Sequence, residues 1–125
     1  MDENLEKRLK QIKTENIFLG IFIILILLAY IANNKEIDYF LNKNLNSKNE
    51  YYNIMIFIFL IVVIISGYYF YQNYQEIISK KNIRSLKEKE YLNLELIASG
   101  AALIASIIYL YIAITDTNIE SEISL

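Results

Sequence analysis

The sequence predicts an all-α integral membrane protein. It is a bundle of three long helices at about 3–32, 48–80 and 86–115, with a short interfacial segment near 35–44. Three observations carry this expectation. Asn16–Asn34, Tyr51–Gln75 and Leu96–Thr115 are uncharged for 19, 25 and 20 residues, and a spanning helix needs about 20 mostly apolar residues. The whole chain has 125 residues, so three such runs leave almost nothing for a water-soluble core. Each run also follows residues that favour a helix start. The soluble globular, collagenous, disordered and disulfide-rich classes are thereby set aside.

The first element begins as a charged amphipathic arm over 1–15. Asp2 is placed to cap it, and Leu5, Leu9 and Ile12 fall at i, i+4 and i+7. Glu3–Lys7 and Glu6–Lys10 add pairs worth about 0.2–0.5 kcal/mol each when exposed. No breaker separates the arm from the first span at 17–33, so one helix of roughly 30 residues and about 45 Å is expected. The acidic residues before the run, and the A-Y-I-A spacing of Ala29 and Ala32, disagree with a cleaved signal peptide. The segment is read as a retained signal anchor. Asn33-Asn34 is expected to end this helix in a left-handed cap. An outer loop at 34–50 follows, in which Ile37, Phe40, Leu41 and Leu45 make a short apolar stripe.

The second and third spans, at 53–73 and 95–115, follow S-x-x-E sequences, Ser47-Lys48-Asn49-Glu50 and Ser85-Leu86-Lys87-Glu88. In a capping box the Ser oxygen takes the third amide while the Glu returns to the Ser amide. A basic hairpin at 76–91, bending near residues 81–84, joins the two helices. An acidic tail at 116–125 closes the chain.

Short flanks make the positive-inside rule applicable. Lys7, Arg8, Lys10, Lys13 and the second-connection cluster Lys80, Lys81, Arg84, Lys87 and Lys89 give nine basic residues on one side. Lys35, Lys43 and Lys48 give three on the other. The expectation is a cell-membrane protein with a cytoplasmic N-terminus and an external C-terminus. Tyr30, Tyr51, Tyr52, Tyr68, Tyr69, Tyr71, Tyr74 and Tyr91 fall at the ends of the runs, where an apolar ring with a wet hydroxyl is favoured. The basic cluster also has the chemistry to hold anionic headgroups.

Absences bound the chemistry. With no Cys and no His, the chain lacks a thiolate, the usual general base and the commonest metal ligands. Three Gly residues, at 20, 67 and 100, cannot form a G-x-G-x-x-G or P-loop pattern. No catalytic, cofactor or metal site is expected, and a formal charge of −2 argues against nucleic acid as partner. Ile, Asn, Lys and Tyr make up 59 residues. Their codons are AT-rich, which points to an AT-rich, bacterial genome. In size and composition the chain resembles small multi-span proteins of low-GC Gram-positive bacteria, a likeness that carries no motif.

Helix 3 differs from the other two, which are walls of Ile, Leu and Phe. It carries Ala98, Ala101, Ala102, Ala105 and Ser106. Small residues at such spacing let backbones approach closely, either within the chain's own bundle or against a second copy or another membrane protein. Glu95 is the one carboxylate inside an apolar run, and such a group is a functional candidate when it lies in the membrane. An interfacial, hydrated or Lys13-paired Glu95 is the plainer alternative. The expected function is therefore non-enzymatic: an accessory or scaffold subunit acting through helix–helix contact in the lipid bilayer. The alternatives are a small oligomeric pore or transport element using Glu95, and an immunity-type membrane protein.

Overall fold

The computed structural model describes residues 2–79 and 85–116. They form three helices, α1 (Glu3–Asn42), α2 (Leu45–Ser79) and α3 (Leu86–Thr115). Each is long and apolar enough to cross a membrane. In the most apolar stretch of each helix only 11%, 11% and 6% of residues are buried within the protein. Surfaces this apolar on all sides are not stable in water, and lipid is the solvent that fits them. Helix 2 was expected to end at Lys80, and Lys80 and the bend at 81–84 lie outside the described residues, as does the acidic tail beyond Asp116.

The chain divides into two units, residues 1–54 and 55–125. The first holds α1 and the start of α2. Asp2 caps α1: its side chain accepts from the Asn4 amide, and its carbonyl accepts from the Glu6 amide at 2.9 Å. The helix then runs unbroken for 40 residues. Its most covered positions are Leu25, Ala32 and Tyr39. Gln11, Glu15, Phe18, Phe22, Ala29 and Glu36, all half-buried, complete a regular alternation of steps of four and three. That spacing keeps one seam inward over eight turns.

This seam corrects the expected boundary at Asn33-Asn34. Asn is a modest helix former rather than a breaker, and the packing of Ala32 and Tyr39 carries the helix past it. Residues 35–42 are thus the last turns of α1 rather than a separate interfacial helix. The expected loop at 34–50 shrinks to Lys43 and Asn44. Lys43 supplies the left-handed cap, with φ 55° and ψ 34°, and its amide donates to the Tyr39 carbonyl at 2.8 Å.

The start of α2 is also earlier than expected. Asn44 caps it: the Asn44 side chain accepts from the Asn46 amide at 3.0 Å, and its carbonyl from the Lys48 amide at 3.2 Å. Ser47 and Glu50 lie inside the helix and do not form the expected box. Ser47 Oγ donates to Asp38 Oδ2 at 2.6 Å, and Glu50 pairs with Lys35 at 2.7 Å.

In the second unit, α3 keeps its expected bounds. Ser85 caps it, accepting from the Glu88 amide at 3.3 Å. Its covered face is Leu92, Leu96, Ser99, Leu103, Ser106, Leu110 and Ala113, again in steps of four and three. Gly67 and Gly100 mark close approaches of α2 and α3. A Cβ on Gly67 would lie 3.9 Å from Leu103, and one on Gly100 would lie 3.2 Å from Phe70. Phe59 and Tyr109 stack across the two helices with ring centroids 5.5 Å apart and planes 10° from parallel.

Candidate functional site

The residues that sequence reasoning singled out on α3 separate into two groups. Ser106 is 4% exposed, and its hydroxyl donates to the Leu103 carbonyl at 2.8 Å. Ala98, Ala101, Ala102 and Ala105 are all exposed. On a helix of 3.6 residues per turn, their centre lies about 120° from the centre of the covered face. These four alanines therefore lie outside the packed face of α3, among the described residues, whereas Gly100 and Ala113 lie within it. These alanines are bordered on one side by Ile97, Ile104 and Ile108, exposed by 67%, 61% and 53%, and form a shallow trough beside that bulky ridge.

Glu95 is exposed one turn before Ala98 and shares its side of the helix with Ala98 and Ala102, at i, i+3 and i+7. Its carboxylate has no ion-pair partner among the described residues. Its backbone is engaged instead. Asn73 Nδ2 of α2 donates to the Glu95 carbonyl at 3.3 Å and to Ser99 Oγ at 3.0 Å. Ser99 Oγ in turn donates to the Leu96 carbonyl at 3.1 Å. The sequence reading did not single out Asn73. The signal was present, because Gln72 and Asn73 are the two amide side chains between Met55 and Tyr74, and a polar side chain at the end of an apolar run finds a partner on a neighbouring helix.

Of the basic cluster, Lys87 and Lys89 are exposed in the first turn of α3. Lys80, Lys81 and Arg84 lie outside the described residues.

A second polar group, also missed, closes the α1–α2 turn. The Asp38 carboxylate accepts from Asn42 Nδ2 at 2.6 Å, Asn44 Nδ2 at 3.1 Å and Ser47 Oγ at 2.6 Å. Donation from Ser47, then from Asn42 and Asn44, with the nearby Lys35 charge, holds the Asp38 carboxyl below the usual carboxylate range against the opposing effect of burial. Lys35 is shifted up, chiefly by its hydrogen bond to Glu50 and the attraction of that carboxylate. The Lys43 and Lys48 ammonium groups lie 5.9 and 5.3 Å from the centre of the Tyr39 ring, within cation–π reach. All of these groups brace the turn. The Asp38–Asn42 spacing at i, i+4 was the legible sign of it.

Among the described residues, no group of three or more His, Cys, Asp or Glu is placed to hold a metal ion. The class defined by fold and surface is an all-helical protein of three membrane-length helices, with polar bracing at the α1–α2 turn and between α2 and α3 and with exposed alanines on α3. No protein family, no curated protein and no solved structure matches this chain.

Proposed function

We propose that this is a non-enzymatic, multi-pass protein of the cell membrane that works through helix–helix contact, as an accessory or scaffold subunit of a larger membrane assembly. The observation that carries the reading is the exposed alanine trough on α3. Lipid tails give helices no hydrophobic reason to associate, so close backbone approach over small residues is what drives pairing in a bilayer. Ala98, Ala101, Ala102 and Ala105 offer that approach and are left unused by the chain's own packing. The excess of basic residues on the arm and second connection supports a cytoplasmic N-terminus and an external C-terminus.

The test is crosslinking in native membranes, read beside the stability of the purified chain. Ala102→Ile fills the trough. It should abolish crosslinks to the partner while leaving the chain folded, whereas Ile64→Leu, on an exposed site of α2, should change neither. Full crosslinking by Ala102→Ile would refute the partner face. In the same cells, a reporter active only outside the membrane and fused after Leu125 should be active. A silent fusion there, with an active one near Lys81, would reverse the orientation.

A further inference from the structure

The arm of α1 carries an apolar stripe that is left exposed among the described residues. Between Asp2 and Glu15 the strictly apolar side chains are Leu5, Leu9 and Ile12, and they are 50%, 40% and 37% exposed. They lie off the inward seam, about 120° round the helix from Gln11, Glu15 and Phe18. Their steps of four and three continue without slip through Asn16, Leu19 and Ile23, and then through Ile26 to Tyr30. Every one of these residues is exposed. This is more than three heptads with apolar residues at seven of eight seam positions, the pattern of a two-stranded coiled coil. In the membrane the pattern would be unremarkable, because nearly every residue there is apolar. In the arm it is selective, and lipid does not cover it, because the arm lies outside the uncharged stretch.

Asn16 identifies the occupant. It is the one polar residue of the stripe, it is exposed, and its amide has no hydrogen-bond partner among the described residues. A single Asn in an apolar seam is matched by the same Asn of an identical helix in parallel register, where each amide serves the other. Gly20, one turn further along the same side, has nothing within 4 Å of the place its Cβ would occupy. The chain's own packing has no use for that missing side chain, and a second backbone does. The arm also has four acidic and four basic residues, and Arg8 is already held by Glu15 of its own chain at 3.4 Å. The arm therefore has no net charge to hold two copies apart, and the like-charged contact that a parallel register brings, Arg8 with Lys13 of the other copy, is eased by the Glu15 carboxylate.

We propose that α1 is the interface of a parallel homodimer, in which two copies inserted the same way pair along the stripe from Leu5 to Tyr30 with their Asn16 amides facing each other. This surface is separate from the α3 trough, and its test stands apart from the one given above.

The chain contains no Cys, so single cysteines report proximity in the full-length protein. Leu9→Cys and Ile12→Cys lie in the stripe, and Lys7→Cys and Lys10→Cys lie outside it. Oxidised in native membranes, the first two should give at least about three times the disulfide-linked dimer of the last two, as seam positions face each other in a parallel pair. Equal yields from all four, or no dimer from any, would overturn the proposal. Lys13→Glu provides the second arm of the test. In parallel register position 13 faces Arg8 of the other copy, so the substitution replaces two repulsions with two attractions. It should raise the dimer association constant roughly five-fold at low salt. An unchanged or weakened dimer would rule out the parallel register.

Discussion

Substituting the two glycines of the second unit tests how tightly α2 and α3 are packed. A methyl group added at Gly67 would meet Leu103 at 3.9 Å, and one at Gly100 would meet the Phe70 ring at 3.2 Å, with a second ring carbon at 3.5 Å. Carbon–carbon contacts are most favourable at about 3.5–4.0 Å. The first methyl therefore falls inside the attractive range, and the second must push the ring away by a few tenths of an ångström. Each Gly→Ala change also gains helix propensity, up to about 1 kcal/mol. At Gly67 the two effects agree, so Gly67→Ala should be neutral or stabilising. At Gly100 an overpacking cost of about 1–3 kcal/mol opposes the gain, so Gly100→Ala should be destabilising by about 1 kcal/mol. The ring is the cause, so trimming it should help: Phe70→Leu in the Gly100→Ala background should recover most of the loss, although Phe70→Leu alone costs stability. Unfolding of the detergent-solubilised protein by titrated SDS measures all four variants. Gly100→Ala at least as stable as Gly67→Ala, or no recovery in the double variant, would refute this account of the α2–α3 contact.

The Asn73–Ser99 bond offers a double-mutant cycle in the same assay, with an expected coupling of about 0.6 kcal/mol, the average for such bonds in membranes. Ser99 keeps its own donation to Leu96, so Asn73→Ala strands no donor on Ser99, and a coupling above about 2 kcal/mol would contradict the geometry. At the α1–α2 turn, the lowered pKa of Asp38 means its bonds contribute fully above the usual carboxylate range. Hydrogen exchange of the amides around 43–48 should therefore be steady from pH 7 to about pH 4, apart from the intrinsic rate, and lose protection as pH falls further. Asp38→Asn should remove that dependence, and the same acid-induced loss in Asp38→Asn would place its cause elsewhere. Lys35 has the opposite sign. Its raised pKa makes the Glu50 pair present at neutral pH and lost as pH rises through that pKa, and Lys35→Gln should remove the alkaline loss of protection.

Most of the architecture could be read from charge-free length alone. Three uncharged runs became three helices, and α3 has both of its expected ends, its start fixed by Ser85, which caps it as its sequence implies. The α1–α2 turn was misplaced for two reasons. Asn33-Asn34 looks like a helix end, but the decisive influence is the tertiary burial of Ala32 and Tyr39 on either side of it. Ser47-Lys48-Asn49-Glu50 looks like a start, but Ser47 and Glu50 are claimed by Asp38 and Lys35, contacts between residues nine and fifteen apart that no local pattern encodes. The small-residue stripe was half legible. Ala98, Ala102 and Ser106 are four apart, and each step of four turns about 40° beyond a full rotation. By Ser106 the stripe has rotated about 80° and reached the covered face, leaving its alanines outside.

The continuity of α1 has a mechanical consequence. Forty residues without a break make a rod of about 60 Å, twice the hydrocarbon thickness of about 30 Å. In a bilayer crossed at 17–33, residues 3–15 and 34–42 would extend as stiff handles on either side, with no proline to act as a hinge. Spans commonly vary in tilt by tens of degrees, and a change of about 10° about the midpoint moves each end of such a rod by about 5 Å, in opposite directions. In that arrangement whatever grips the arm would be geared to the braced turn on the far side, and displacement at one membrane surface would be delivered at the other without any change within the helix.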